Sequence, residues 1–239
     1  MKRKTIISND GEELSYSIIG DGQPAILLHG FTMWSEMWSL NGVVDSLSKK
    51  AKLIIPDMRG HGYSSKTHDP KRYGMNLIDD LVAILDQEGA PQADVVGFSA
   101  GAELGLKLAT TFPSRVASLL LIGSGWTKLD DVPLYQELAL WARESGNAMT
   151  RDPDYDAMDA FVHGIPEVID LPKAALEQIA VCCAGIVGGE DPHRPHLESL
   201  VGVIPGFSLE VLPGLPHETS WRDASIPQRV ENFLTLRHG

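Results

Sequence analysis

Cysteine is nearly missing from this 239-residue chain, and the two present, Cys182 and Cys183, are neighbours. Adjacent cysteines cannot staple distant segments together, so a disulfide-framed scaffold is excluded. Long apolar runs are missing as well: none approaches the roughly 20 residues that a membrane-crossing helix needs. Basic charge is in deficit, with 20 Lys plus Arg against 32 Asp plus Glu and a formal net charge of −12. That balance argues against nucleic acid or an acidic membrane surface as partner. The opening "MKRKTIISNDGEEL" is basic but turns polar at once, without the apolar core of a signal peptide, so a cytoplasmic location is expected. No internal repeat, low-complexity tract or flexible linker stands out. With 43% hydrophobic and 22% charged residues, the chain has the composition of one globular domain with a substantial core.

The chain does contain short apolar runs alternating with helical patterns. "KTIIS" and "ELSYSIIG" read as two strands joined by a turn at Asn9-Asp10-Gly11. "PAILLHG", "AKLIIPD", "ADVVGF", "VASLLLIG", "VCCAGIVGG" and "FSLEVLPG" read as further strands, mostly buried. Between them, "NLIDDLVAILDQEG" and "AGAELGLKLATTF" carry helical spacing, and a closing helix is expected from Pro227 to about Leu236. This alternation predicts an α/β fold, a doubly wound and mostly parallel sheet with antiparallel strands at the start. From Gly125 to about Lys173 the alternation stops, and "PLYQELALWARESG" and "YDAMDAFVHG" are amphipathic. The expected division is therefore a core of residues 1–124 and 174–239 with a small helical lid insertion over 125–173.

The run Gly97-Phe98-Ser99-Ala100-Gly101 sits where a buried strand turns into a helix. Flanking glycines remove the β-carbons that would collide at such a corner, so its central residue can take strained angles and project its side chain. The helix N-terminus just beyond suits a developing oxyanion. Ser99 is thus placed as a nucleophile, with simple helix capping as the bland alternative. A serine nucleophile needs a general base, and the base needs an orienting acid. "IVGGEDPHRP" puts Asp191 just past one strand and "VLPGLPHETSW" puts His217 just past the next. Open parallel sheets gather their sites at that edge, so Ser99, Asp191 and His217 are expected on one rim.

These residues carry a resemblance. "YSIIGDGQPAILLHG", "WSEMW", "LIIPDMRGHGYSS", "DVVGFSAGAELGLKLATTFPSRVASLLLIGS", "IVGGEDPHRP" and "LPGLPHETSW" together resemble the α/β-hydrolase fold superfamily over nearly the whole chain except the insertion. Two departures are visible. Pro216 stands where a glycine commonly precedes the family's histidine, and the insertion is short for a lid.

The resemblance implies a serine hydrolase of the esterase or lactonase kind, cleaving a small apolar acyl ester or lactone through an acyl-enzyme. It casts Ser99 as nucleophile, His217 as base and Asp191 as the acid that orients it, with the backbone N–H groups of Phe31 and Ala100 as the oxyanion hole. Perhydrolysis, carbon–carbon cleavage, lyase chemistry and slow-turnover reception of a small molecule remain open on the same residues. Glu190, and more distantly Asp130 or Asp131, are alternative acids. No metal or organic cofactor is implied, and oligomeric state is not indicated. His193 and His196 read as solvated loop histidines, because "DPHRPHLE" lacks a helical H-x-x-x-H pair and its prolines favour a loop. His29 and His61 read as structural, and Asp57 and Arg59 as braces of the loop after their strand. Phe98, Trp126, Trp34 and Leu138 are the candidates to wall an apolar pocket, with ordinary packing as the alternative for each. The cysteines read as inert packing in a buried strand.

Overall fold

The computed structural model describes residues 1–236; residues 237–239, the end of the expected core segment, lie outside the described residues. Eight strands form one sheet: β1 Lys2–Ile7, β2 Glu13–Ile19, β3 Gln23–Leu28, β4 Ala51–Pro56, β5 Ala93–Phe98, β6 Val116–Ile122, β7 Cys182–Gly188 and β8 Ser208–Leu212. Their order is β1-β2-β4-β3-β5-β6-β7-β8. The pairs β1–β2 and β2–β4 are antiparallel, and every pairing from β4 to β8 is parallel. The expected doubly wound, mostly parallel sheet is borne out, and each predicted strand is present.

Both faces of the sheet are covered, and the pleat assigns the residues. Ile26, Leu28, Ile54, Val95, Leu119 and Leu121 belong to one apolar cluster, whereas Ala25, Leu27, Leu53, Val96, Leu120 and Ile122 belong to the other. Successive side chains of a strand point to opposite faces, so a strand buried on both reads as a continuous apolar run. The second face is covered by α1 Met37–Leu40, α2 Val43–Leu47 and the C-terminal helix at Ile226–Leu236. Helices α3 Met75–Gln87 and α4 Ala100–Thr111 cover the first face.

The segment between β6 and β7 is helical, with α5 Val132–Ser145, α6 Tyr155–Gly164 and the short α7 Lys173–Leu176. Helix α5 buries Tyr135, Ala139 and Ala142, an i, i+4, i+7 stripe, and ends on Gly146 in the left-handed conformation. Helix α6 is capped by the Asp154 carboxylate, which accepts from the Ala157 N–H at 3.0 Å. Tyr135, Met158 and Phe161 join the same apolar cluster as the first face of the sheet. Two more short helices, α8 Arg194–Glu198 and α9 His217–Ser220, follow β7 and β8, and α10 is the C-terminal helix already placed. The buried-strand reading of the cysteines holds for Cys183 only; Cys182 opens β7 and is exposed. No helix among the described residues is long and apolar enough to cross a membrane.

Candidate active site

Strand β5 ends at Phe98, α4 starts at Ala100, and Ser99 between them has φ 53° and ψ −121°. That conformation is costly for a residue with a β-carbon and persists only where the surroundings enforce it. Here the enforcement is steric. A β-carbon on Gly97 would stand 2.2 Å from the Gly101 carbonyl oxygen, and one on Gly101 would stand 2.3 Å from that of Leu28. Strand and helix therefore touch backbone to backbone, and the Ser99 N–H is fixed by the Ile122 carbonyl of neighbouring β6 at 2.8 Å.

His217 opens α9 directly after Pro216, whose extended backbone (φ −80°, ψ 171°) sets the entry to the helix in place of the commoner glycine. Its Nε2 lies 3.1 Å from Ser99 Oγ and its Nδ1 lies 2.8 Å from Asp191 Oδ2. With an acid on one side and a hydroxyl on the other, the consistent tautomer donates from Nδ1 to Asp191 and accepts at Nε2 from Ser99. The other Asp191 oxygen accepts the His193 N–H at 2.8 Å, and the carboxylate is buried. The three side chains, from the β5–α4 corner, the loop after β7 and the first residue of α9, thus form one hydrogen-bonded line at the carboxyl edge of the sheet. Glu190 is exposed outside it, and Asp131 instead accepts the Lys128 N–H at 2.8 Å and faces His196 at 3.3 Å.

The loop after β3 carries Phe31. Among the described residues, neither the Phe31 N–H nor the Ala100 N–H is engaged by an acceptor. Two buried histidines hold this loop. His61 Nε2 accepts the Thr32 N–H at 3.2 Å, and His29 Nε2 accepts the Met58 N–H at 2.9 Å. Burial pushes His29 down to about 4 and His61, beside it, down to about 3, so both are neutral acceptors near neutral pH. Asp57 takes the N–H groups of Ser35 (2.9 Å) and Tyr63 (3.0 Å), and buried Arg59 pairs with Asp80 at 2.6 and 2.7 Å. His29, His61 and Asp57 brace the loops after β3 and β4 against each other, whereas Arg59 ties the second of these loops to Asp80 of α3 and to Asp10. The Phe31 ring stacks on Phe161 of α6 at 5.2 Å and meets Tyr135 of α5 at 5.7 Å, so the helical segment packs onto this loop.

The pocket candidates are dispersed. Phe98 is buried and stacks under the His217 ring at 5.0 Å, with the position of a Gly123 β-carbon only 2.8 Å from its own ring; it is the floor beneath that imidazole. Trp34 is half-buried beside Tyr63 at 5.6 Å. Trp126 donates its indole N–H to the Leu171 carbonyl at 2.8 Å under a covering Lys128, and Leu138 is 39% exposed on α5.

His193 and His196 differ from the expected solvated loop. Both are half-buried; His196 lies within α8 and His193 immediately precedes it. The His193 ring packs against His217 at 4.6 Å, and burial together with that neighbour lowers its pKa to about 4. The reason is local: the Asp191 carboxylate accepts from the His193 N–H and turns the segment back over the site.

Sequence reasoning also missed Glu103. It is fully enclosed one turn along α4 from Ser99 and accepts from Ser124 (2.7 Å), Thr127 (2.6 Å) and Tyr135 (2.5 Å). Burial raises its pKa against the opposing pull of these donors. A lone acid inside "AGAELGLKLA", where every other early position is small or apolar, was the available signal.

Comparison with known proteins agrees with this architecture. Residues 24–148, just over half of the chain, match the family model described as alpha/beta hydrolase fold. A 2-hydroxymuconate semialdehyde hydrolase from Pseudomonas putida is 37% identical over 105 residues, 44% of this chain and 37% of that protein; the match spans well under half of that relative's length. Serine hydrolase BPHL of Mus musculus is 27% identical over 95% of this chain and 85% of its own. A thermophilic esterase from Thermogutta terrifontis superposes with a TM-score of 0.84 at 20% identity, over the full length of both chains. The chain belongs to the alpha/beta hydrolase fold family.

Proposed function

We propose that the protein is a serine hydrolase acting on a carboxylic ester or lactone with an apolar acyl group. The observation that carries this reading is the unbroken line from Ser99 Oγ through the His217 ring to Asp191, at 3.1 and 2.8 Å, with Ser99 held in a strained corner. In this reading Ser99 attacks the acyl carbon as His217 Nε2 takes its proton. Asp191 holds the tautomer and stabilises the imidazolium. The oxyanion forms against the N–H groups of Phe31 and Ala100, where α4 adds the positive end of its dipole. His217 then returns the proton to the leaving group, and water repeats the sequence on the acyl-enzyme. The segment 125–173 roofs the site as a lid, with Phe161 and Tyr135 seating it on the oxyanion loop. No step calls for a metal or organic cofactor.

Likeness to serine hydrolase BPHL along nearly the whole chain supports this chemistry. The 2-hydroxymuconate semialdehyde hydrolase match supports a second reading, carbon–carbon cleavage by the same three residues. The test is a panel of short esters, long esters, lactones and 2-hydroxymuconate semialdehyde, with Ser99→Ala beside the wild type. Ester or lactone turnover should fall on the order of 10⁴-fold or more in Ser99→Ala while the fold persists. Turnover surviving in the folded variant refutes the nucleophile. Turnover of the semialdehyde with inert esters selects the second reading. A single acylation burst without turnover points to a receptor, and a wild type that ignores a fluorophosphonate probe points to a non-catalytic scaffold.

A further inference from the structure

Asp191, His193 and His217 hold more than a proton relay needs. The relay uses one carboxylate and one imidazole, yet a second imidazole is folded into the same space. The backbone N–H of His193 is fixed by Asp191 Oδ1 at 2.8 Å, and its ring packs at 4.6 Å from that of His217, inclined by 49°. One ligand-capable atom from each of the three side chains lies within 4.8 Å of the others. Two imidazoles and a carboxylate gathered within this span form the donor set of a borderline transition metal rather than of magnesium or calcium.

We propose that these three residues form an inhibitory site for a divalent transition-metal ion of the zinc type, resting on the serine-hydrolase reading above. Ligands about 2.0–2.2 Å from a tetrahedral zinc stand roughly 3.3–3.5 Å from one another. His217 Nδ1 and Asp191 Oδ2, at 2.8 Å, need to part by little more than half an ångström, roughly, to admit the ion. His193, immediately before α8, supplies the third ligand from the other side, and its ring must turn away from His196, whose Nδ1 lies 3.4 Å from its own, to do so. Water completes the fourth position.

The chemistry of inhibition follows from which nitrogen is taken. The ion takes the lone pair of His217 Nδ1, so the proton that Nδ1 carried moves to Nε2 and the ring stays a neutral imidazole. Nε2 still faces Ser99, but as an N–H it has no lone pair to take the serine proton, and Asp191 is occupied by the metal. Acylation stops with the fold intact. His193 takes no part in the relay, so its side chain can be changed without removing the machinery.

The test uses the purified chain in metal-free buffer with ZnCl2 as probe and an ester or lactone substrate from the panel. Wild-type turnover should fall with added zinc and return on chelation. His193→Asn, which keeps the backbone N–H to Asp191, should retain basal turnover and need at least about tenfold more zinc for the same inhibition. A wild type indifferent to zinc, or a His193→Asn variant as sensitive as the wild type, overturns the proposal. Cobalt(II) gives a readout independent of activity. Wild type and Ser99→Ala should both show the intense visible absorption of a tetrahedral site, and His193→Asn should lose it. Absence of that band in the wild type overturns the site. The band without any Ser99-dependent turnover overturns the inhibitory role and separates that failure from failure of the site.

Discussion

At the scale of single residues, space decides what the corner tolerates. Gly101 lies against the Leu28 backbone, so a methyl group there cannot be absorbed by a side-chain rotation. Gly101→Ala should destabilise the protein by about 3 kcal/mol or more, the range of severe overpacking, and displace Ser99 from His217. Urea denaturation with fluorophosphonate labelling of the folded fraction checks both effects; wild-type stability would show that the backbone contact is not fixed. Ser99, Asp191 and His217 were legible in the sequence because each follows a readable strand end. His193 was not, because its half-buried place depends on a carboxylate two residues earlier turning the chain back, which prolines alone do not reveal. Cys182 was misread for a similar reason: the run "VCCAGIVGG" marks a strand but not the residue at which burial starts.

At the scale of elements, the helical segment is tied to α4 by a buried carboxyl. Glu103 of α4 takes the hydroxyl of Tyr135 from α5 beside those of Ser124 and Thr127. Tyr135→Phe keeps the ring against Phe31 and removes only the hydroxyl, leaving one Glu103 oxygen without that donor. Loss of such a bond costs about 1–3 kcal/mol. The expected outcome is a matching loss of stability in denaturant, with faster amide exchange concentrated in α5; unchanged exchange there would show that α5 does not depend on this bond. Helices α5 and α6 were legible from their amphipathic stripes. What they pack against was not, since periodicity gives the apolar face of a helix but not its partner. The four pocket candidates show this limit. Being large and apolar near an expected loop selected Phe98, which floors His217, together with Leu138, which is 39% exposed on α5.

At the scale of the whole molecule, the two buried imidazoles behind the loop after β3 set an acid limit. His29 and His61 titrate near 4 and near 3 in the folded chain, against an ordinary value of about 6.5 in the unfolded one. Between those limits the unfolded chain binds more protons, so stability rises with pH. This contribution is fully present above about 6.5 and is lost as pH falls toward 4 and below. His61→Gln, which cannot be protonated, should lower stability at pH 7 by removing the Thr32 brace, yet show a shallower decline in Tm between pH 7 and pH 4. Thermal unfolding of both proteins across that range provides the comparison, in which contributions shared by the two cancel. Parallel curves would mean that His61 is not held neutral in the fold.

The ring of Phe98 is wedged among the turn at Gly30, the turn at Gly123 and the imidazole above it. It behaves as a keystone shared by two loops and the start of α9. Trimming it would loosen the His217 ring and the turn before Phe31 together, so under the serine-hydrolase reading making space there for bulkier substrates carries its own loss of rate. On the exposed flank of α5, by contrast, Leu138 and Trp141 stand 39% and 50% open to solvent, so exchanges there leave the packing beneath undisturbed.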